Sequence, residues 1–219
     1  MIHESIGQIG HGLVIVSFVT ALLATFAYFK TSQTDALNTE WRQTARTLFF
    51  IHFVAVIGVA YSLFHIIYNH YYEYHYAFSH ASRALPLQFM ISCFWEGQEG
   101  SFLLWIFWQA LLGLLLMIKN PTWEGPVMTI FALVQTFLTS MIIGVIIPVI
   151  DLKIGSSPFL LLREAQPDLP VWSLQPNFIP KDGRGLNPLL QNYWMVIHPP
   201  TLFLGPLKPS AMRIIRAMP

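Results

Sequence analysis

GSFLLWIFWQALLGLLLMI, residues 100–118, contains no aspartate, glutamate, lysine or arginine. A helix that crosses a bilayer needs about 20 such residues, because each residue rises 1.5 Å and the hydrocarbon is about 30 Å thick. Uncharged stretches of greater length occur at residues 5–29, 47–72 and 126–150. The sequence therefore predicts an all-α, polytopic membrane protein with four complete transmembrane helices, near residues 6–29, 47–70, 101–119 and 126–150.

The composition supports a lipid environment. Of the 219 residues, 54% are hydrophobic and 11% are charged, whereas an average soluble domain has about 25% charged residues. This composition makes the lipid bilayer the expected partner. The net charge of +1 provides no positive field that would attract nucleic acid, so nucleic acid is not an expected partner. Cys93 is the only cysteine, which excludes an internal disulfide and a cysteine cluster for metal. The start, MIHES, has no basic residue before its apolar run, so the first span is interpreted as a retained helix and not a signal peptide.

Basic residues in the short loops predict the orientation. Lys30, Arg42 and Arg46 lie between the first two spans and Lys119 follows the third, while the amino-terminal tail has no lysine or arginine. Cytoplasmic loops carry the excess of basic residues, so these two loops are predicted to be inside and the amino terminus outside. The proline-rich segment at residues 151–192 is then an ordered outer loop or a functional lid.

The last part of the chain predicts the start of a fifth span, at residues 193–207. Pro199 and Pro200 suit a helix start, where their missing N–H groups would be unpaired anyway. Lys208, Arg213 and Arg216 follow, and a charge at the bilayer centre costs about 2.5 to 3.5 kcal/mol. The expected organisation is a four-helix transmembrane region (1–150), the outer loop (151–192), the start of an incomplete fifth span (193–207) and a basic tail (208–219).

Two carboxylates stand just before the third span, in FWEGQEG at residues 94–100. Glu96 and Glu99 can complement the dipole of the following helix, which is worth about 0.3 to 1 kcal/mol each. They can equally mark a site, because acids at membrane depth are costly and usually functional. Trp95 offers a flat surface for a large planar ligand, but tryptophan is also typical of the membrane interface. These residues leave both interpretations open. Ser101 is predicted to cap the helix.

Histidine provides the candidate metal ligands. In IHPP, Pro199 favours extended backbone at His198, which predicts an imidazole held at the mouth of a helix it does not join. A neutral imidazole is a good ligand for haem iron, and the alternative is an ordinary interfacial histidine. Histidines at positions 65, 70, 75 and 80 recur every five residues, a spacing that brings them onto one face of neither a helix nor a strand. This favours an aromatic interface belt over a shared metal site. His11 and His52 are assigned no ligand role.

Several motifs together resemble a known family. They are WEGQEGSFLLW (95–105), GSSPF (155–159), DGRGLNPLLQN (182–192) and IHPPTLFLG (197–205). They are similar to the amino-terminal part of the CcmF family, the large membrane subunit of the cytochrome c haem lyase. The match runs from about residue 10 to residue 205. The family often has a histidine where this sequence has Gln98, and residues 206–219 no longer resemble it.

The resemblance implies a multi-pass protein of the bacterial inner membrane whose active face is toward the periplasm. Such a protein receives haem, with haem b as substrate, from a membrane-tethered haem chaperone. Together with other haem lyase subunits it helps to attach the haem to the thiols of a CxxCH apocytochrome c. His198 matches an outward-facing ligand of the haem iron, while Trp95, Glu96 and Glu99 are expected to shape the vestibule where haem or its chaperone docks. No catalytic residue is implied.

The sequence has two alternative functional interpretations. A membrane transport subunit with a proton relay needs acids or lysines near the bilayer midplane, and the four uncharged stretches at residues 5–29, 47–72, 100–118 and 126–150 contain none. A nonfunctional, truncated fragment of a haem lyase is the other alternative. Because the fifth span is predicted to be incomplete, the chain alone is expected not to mature cytochrome c.

Overall fold

The computed structural model describes residues 2–33, 39–119, 121–147 and 152–203, and within these ranges the chain is mainly helical. The long helices are α1 (Glu4–Gln33), α2 (Thr39–Tyr68), α5 (Gln98–Lys119) and α6 (Glu124–Ser140). The shorter helices are α3 (His75–His80), α4 (Leu87–Glu96), α7 (Leu162–Ala165), α8 (Val171–Leu174) and α9 (Tyr193–Phe203), and a 3-10 turn covers Pro188–Leu190.

Among the described residues three helices, α1, α2 and α5, are long and apolar enough to cross a membrane, each with an 18-residue window of mean hydropathy 2.1. The buried side of α1 is a stripe of mostly small residues at a spacing of three or four, including Gly7, Gly10, Ser17, Ala21 and Ala24. Small residues let helix backbones approach closely, which is how helices associate when their outer faces are already in lipid. The first three predicted spans are therefore present as helices.

The fourth predicted span differs from the structure. α6 has 17 residues and ends at Ser140, although the uncharged stretch continues to residue 150. Gly144 has a φ of +61°, which turns the chain out of the helix. Val145–Ile147 (β1) then pairs antiparallel with Leu152–Ile154 (β2). An absence of charge does not distinguish helix from strand, so the count of four complete spans is not confirmed.

The helix with the HPP motif also differs from expectation. α9 begins at Tyr193 and contains both Pro199 and Pro200. His198 is therefore helical, and the predicted extended conformation at this residue is wrong. The helix starts earlier because Asn192 takes the capping role, accepting a hydrogen bond from Met195 N at 3.1 Å. Residues 204–219, which include the predicted basic tail, lie outside the described residues.

The tyrosine-rich stretch after α2 is more buried than a membrane-interface belt would be. Tyr72, Tyr74 and Tyr76 are all almost fully buried. The Tyr74 hydroxyl donates to the carbonyl of His3 (2.7 Å) and accepts from the amide of Gly7 (3.0 Å). This stretch therefore anchors the start of α1, and Tyr76 anchors the end of α4 in the same way.

An ion pair connects three helices at the end of the bundle opposite the tyrosine-rich stretch. Arg46 of α2 binds Glu124 of α6 through two bonds, Nε to Oε1 and Nη2 to Oε2, each 2.6 Å long. The same guanidinium donates to the carbonyl of Met117 in α5 at 3.3 Å. The fork of an arginine matches a carboxylate in this geometry, so the pair fixes where α2, α5 and α6 meet.

Candidate functional site

The WEGQEG motif forms the tight turn between α4 and α5. The hydroxyl of Tyr76 donates to the carbonyl of Phe94 at 2.8 Å and accepts from the amide of Gly97 at 3.2 Å. A Cβ at Gly100 would collide with that same Phe94 carbonyl oxygen and with the Tyr76 hydroxyl. The glycines of the motif are therefore explained by close packing around one buried tyrosine. Burial raises the pKa of Tyr76 well above its usual value, so the hydroxyl keeps the proton it donates.

Ser101 has a different role from the one predicted. α5 begins at Gln98, and the Ser101 hydroxyl donates to the carbonyl of Trp95 at 2.6 Å. Ser101 thus satisfies a carbonyl at the end of α4, where helix carbonyls have no partner in their own helix. It does not cap the start of α5.

The two acids of the motif occupy different environments. Glu99 lies in the first turn of α5, where the helix dipole stabilises a carboxylate. It is half-buried and makes no hydrogen bond or ion pair within the described part of the chain. Burial lowers the pKa of His75, and the negative charge of Glu99 partly opposes that effect.

Glu96 is the last residue of α4 and connects three segments. Its Oε1 accepts a hydrogen bond from the amide of Asn187 at 3.4 Å. Its Oε2 lies 3.3 Å from Nδ1 of His80, but the angles are not those of a hydrogen bond, and this buried oxygen has no hydrogen-bond partner among the described atoms. The His80 contact is therefore an ion pair when the imidazole is protonated.

The DGRG motif docks on the end of α3 and on the link between α3 and α4. Asp182 accepts hydrogen bonds from the amides of Arg83 (2.9 Å) and Gly183 (2.8 Å), and the Arg83 amide in particular lowers the pKa of Asp182. The amides of Arg184 and Gly185 donate to carbonyls in the facing segment, those of Phe78 (2.7 Å) and Ala81 (3.1 Å). Because the motif is bonded mainly through its backbone, its position on the α3–α4 link is fixed.

A hydrogen bond joins WEGQEG to the helix of the HPP motif. In a regular helix the carbonyl of Met195 would accept from the residue four positions later, but that residue is Pro199, which has no N–H. The indole of Trp95 donates to this free carbonyl at 2.9 Å. The rings of Trp105 and Phe203 stack at 6.0 Å between their centres. The proline therefore creates an acceptor, and Trp95 uses it to hold α9 against α4.

The opposite face of α9 is open. His198 is exposed, and the side chains one turn before and after it, Trp194 and Leu202, are 71% and 59% exposed. Residues at i, i+4 and i+8 share a helix face, so an aromatic ring, an imidazole and an aliphatic side chain form one stripe. We call Trp194, His198 and Leu202 the α9 stripe.

The predicted site residues are thus only partly brought together. Trp95 and Glu96 reach α9 and the segment before it, but no described contact joins them or Glu99 to the imidazole of His198. The sequence did not predict that Trp95 bonds Met195 or that Glu96 bonds Asn187. The missing N–H of Pro199 could have indicated the first of these bonds, because it leaves the Met195 carbonyl without a helical donor. Within the described ranges no group of three or more metal-binding side chains occurs, and of the four regularly spaced histidines only His75 and His80 lie in α3.

Known proteins that are similar to this chain identify its relatives. No family model matches the chain. The cytochrome c-type biogenesis protein CcmF of Escherichia coli is 26% identical over 199 residues, which cover 90% of this chain. The cytochrome c-type biogenesis protein CycK of Bradyrhizobium diazoefficiens is 29% identical over 202 residues, which cover 91%. The chain is homologous to the CcmF-type proteins. The resemblance predicted from the motifs is confirmed.

The fold gives an independent comparison. A solved structure titled "Cytochrome c Heme Lyase CcmF" superposes with a TM-score of 0.65 at 21% identity, and the match covers 91% of this chain and 28% of that one. The chain spans about 27% of the length of the two CcmF-type relatives. It therefore matches proteins of cytochrome c biogenesis over about a quarter of their length.

Proposed function

We propose that this chain handles haem during cytochrome c biogenesis, on the outer face of the bacterial inner membrane. In this proposal haem b is the substrate, a haem chaperone delivers it, and other haem lyase subunits help to attach it to a CxxCH apocytochrome c. The observation that carries the proposal is the exposed His198 on a helix that Trp95 anchors to WEGQEG, in a chain homologous to CcmF-type proteins.

The α9 stripe has the chemistry to receive a porphyrin. The His198 imidazole can ligate the haem iron through a ring nitrogen. Four residues of helix rise about 6 Å, so Trp194 and Leu202 lie on either side of the imidazole along the helix. Both can then contact the face of the macrocycle that the imidazole approaches. Covering this apolar face removes it from water, which is favourable.

Trp95 and Glu96 act on haem indirectly in this proposal. The Trp95 ring is buried and its only N–H is already bonded to Met195, so it positions α9. Glu96 holds the Asn187 amide just before that helix. Glu99, whose carboxylate has no described hydrogen bond, is the acid of the motif that remains able to contact haem or its chaperone.

Cys93 does not compete with the thiols of the apocytochrome. Attachment adds each cysteine S–H across a haem vinyl group, and the thiolate is the reactive form of a thiol. Burial, followed by the nearby charge of Glu96, raises the pKa of Cys93 to about 12. This side chain therefore stays protonated and enclosed.

Haem retention tests the role of His198. The tagged chain is purified from a bacterium that runs cytochrome c maturation, and haem per chain is measured as the pyridine haemochrome. We expect His198→Ala to retain about tenfold less haem than the unchanged chain, which corresponds to about 1.4 kcal/mol of lost binding. His65→Ala is the matched control, because His65 lies outside the α9 stripe, and it should retain haem normally. Equal haem in the unchanged chain and in His198→Ala would remove the basis for the proposal.

A further inference from the structure

A cavity of about 340 Å³ opens beside the first turns of α1, away from the α9 stripe. α1 contributes Glu4, Gln8 and His11 to its lining, and the segment after β2 contributes Ser157, Arg163 and Glu164. A volume of this size suits a small ligand or a headgroup. The proposed haem function uses none of these side chains.

The charges in this cavity have both signs, with an excess of negative charge. Arg163 Nη2 lies 3.0 Å from Glu4 Oε1, and Glu164 Oε2 accepts a hydrogen bond from the amide of Leu161 at 3.2 Å. Two carboxylates against one guanidinium leave a formal charge of about −1 with neutral histidine. Burial is the main cause that raises the pKa of Tyr74 in the cavity wall to about 12, and Glu73, Glu4 and Glu164 add to it. The cavity therefore attracts a cationic group and still offers Arg163 to an anionic one.

The exposed apolar side of α1 begins one turn beyond Gln8, a residue of the cavity wall. Gly12 lies one turn below Gln8, and a Cβ added there meets no atom within 4 Å. On the same side of the helix follow exposed side chains that include Ile15, Val19 and Leu22. α1 is long and apolar enough to cross a membrane, so this side has the character of a lipid-facing surface.

We propose that the cavity binds the headgroup of a phospholipid with a primary ammonium group, of the phosphoethanolamine type. The ammonium group donates hydrogen bonds to the carboxylates of Glu4 and Glu164. The phosphate lies toward Arg163 and His11, and an acyl chain runs past Gly12 along α1. A choline headgroup has no N–H to donate, and a glycerol headgroup has no cation for the carboxylates.

Headgroup selectivity tests the proposal. The full chain is purified in detergent and mixed with phosphatidylethanolamine, phosphatidylcholine or phosphatidylglycerol carrying identical acyl chains, and bound lipid is counted by native mass spectrometry. We expect about tenfold more phosphatidylethanolamine than either other lipid, as charge-assisted hydrogen bonds to two carboxylates predict. Similar retention of all three lipids, or a preference for phosphatidylglycerol or phosphatidylcholine, would overturn the proposal.

Three variants separate the headgroup from the acyl path. Glu4→Gln with Glu164→Gln changes the formal charge of the cavity from about −1 to about +1, so the preference should invert toward phosphatidylglycerol. Glu40→Gln removes one carboxylate from an exposed position near the opposite end of the bundle and should keep the original preference. The leucine side chain of Gly12→Leu would occupy the open space beside α1. Because the acyl chain is proposed to run through this space, retention of all three lipids should fall. An unchanged preference in the double variant, or full retention in Gly12→Leu, contradicts the site.

Discussion

Replacing Arg46 by alanine is expected to lower the free energy of unfolding by about 3 to 5 kcal/mol, because it leaves a buried carboxylate without its partner. The side chain of Glu124 is 1% exposed, whereas that of Arg46 is 41% exposed. The guanidinium also bonds the carbonyl of Met117, so α2, α5 and α6 lose a common contact. The free energy of unfolding is measured by denaturant titration of the purified chain in micelles.

Two controls distinguish loss of the pair from loss of a positive charge. Lys119→Ala removes an exposed basic side chain from the end of α5 and should change stability by less than about 0.5 kcal/mol. Arg46→Met combined with Glu124→Leu removes both charges, and such replacements are often close to neutral. If Arg46→Ala is no more harmful than Lys119→Ala, the pair does not stabilise the bundle.

Gly100→Ala and Gly12→Ala are expected to have opposite effects on stability. A Cβ at Gly100 would collide with the Phe94 carbonyl oxygen and the Tyr76 hydroxyl, and overpacking of this kind costs about 3 kcal/mol. A Cβ at Gly12 meets open space, so this variant should gain about 0.5 to 1 kcal/mol from the higher helix propensity of alanine.

The pair is informative because both glycines lie within helices and undergo the same chemical change. Thermal unfolding of the two variants in the same detergent measures the difference directly. A Gly100→Ala variant as stable as Gly12→Ala would mean that the turn between α4 and α5 is not packed around Tyr76 as described.

The sequence predicted α1, α2 and α5 because charged residues are absent over lengths that cross a bilayer. The same rule overestimated α6, since the uncharged run after Ser140 contains Gly144 in a left-handed conformation and the strand Val145–Ile147. Hydropathy measures the preference of a segment for lipid, and it does not determine the local backbone conformation.

The sequence offered candidate site residues by type, but it did not predict their contacts. FWEGQEG and IHPP identified Trp95, Glu96 and His198, yet Trp95 and its acceptor Met195 lie 100 residues apart. Local rules placed His198 in extended backbone before Pro199, whereas the helix continues through the prolines. Trp95 satisfies the carbonyl freed by Pro199, a long-range contact that local rules do not include.

The side of the membrane that carries the α9 stripe is measured most directly by cysteine labelling in intact cells. Cys93→Ser removes the only native thiol, and single cysteines are placed at two exposed positions, Leu189 just before α9 and Trp123 between α5 and α6. If haem is handled on the outer face, a membrane-impermeant maleimide will label Leu189→Cys in intact cells and Trp123→Cys only after lysis. Labelling of Trp123→Cys in intact cells, with Leu189→Cys protected until lysis, would place the stripe in the cytoplasm and contradict outer-face haem handling.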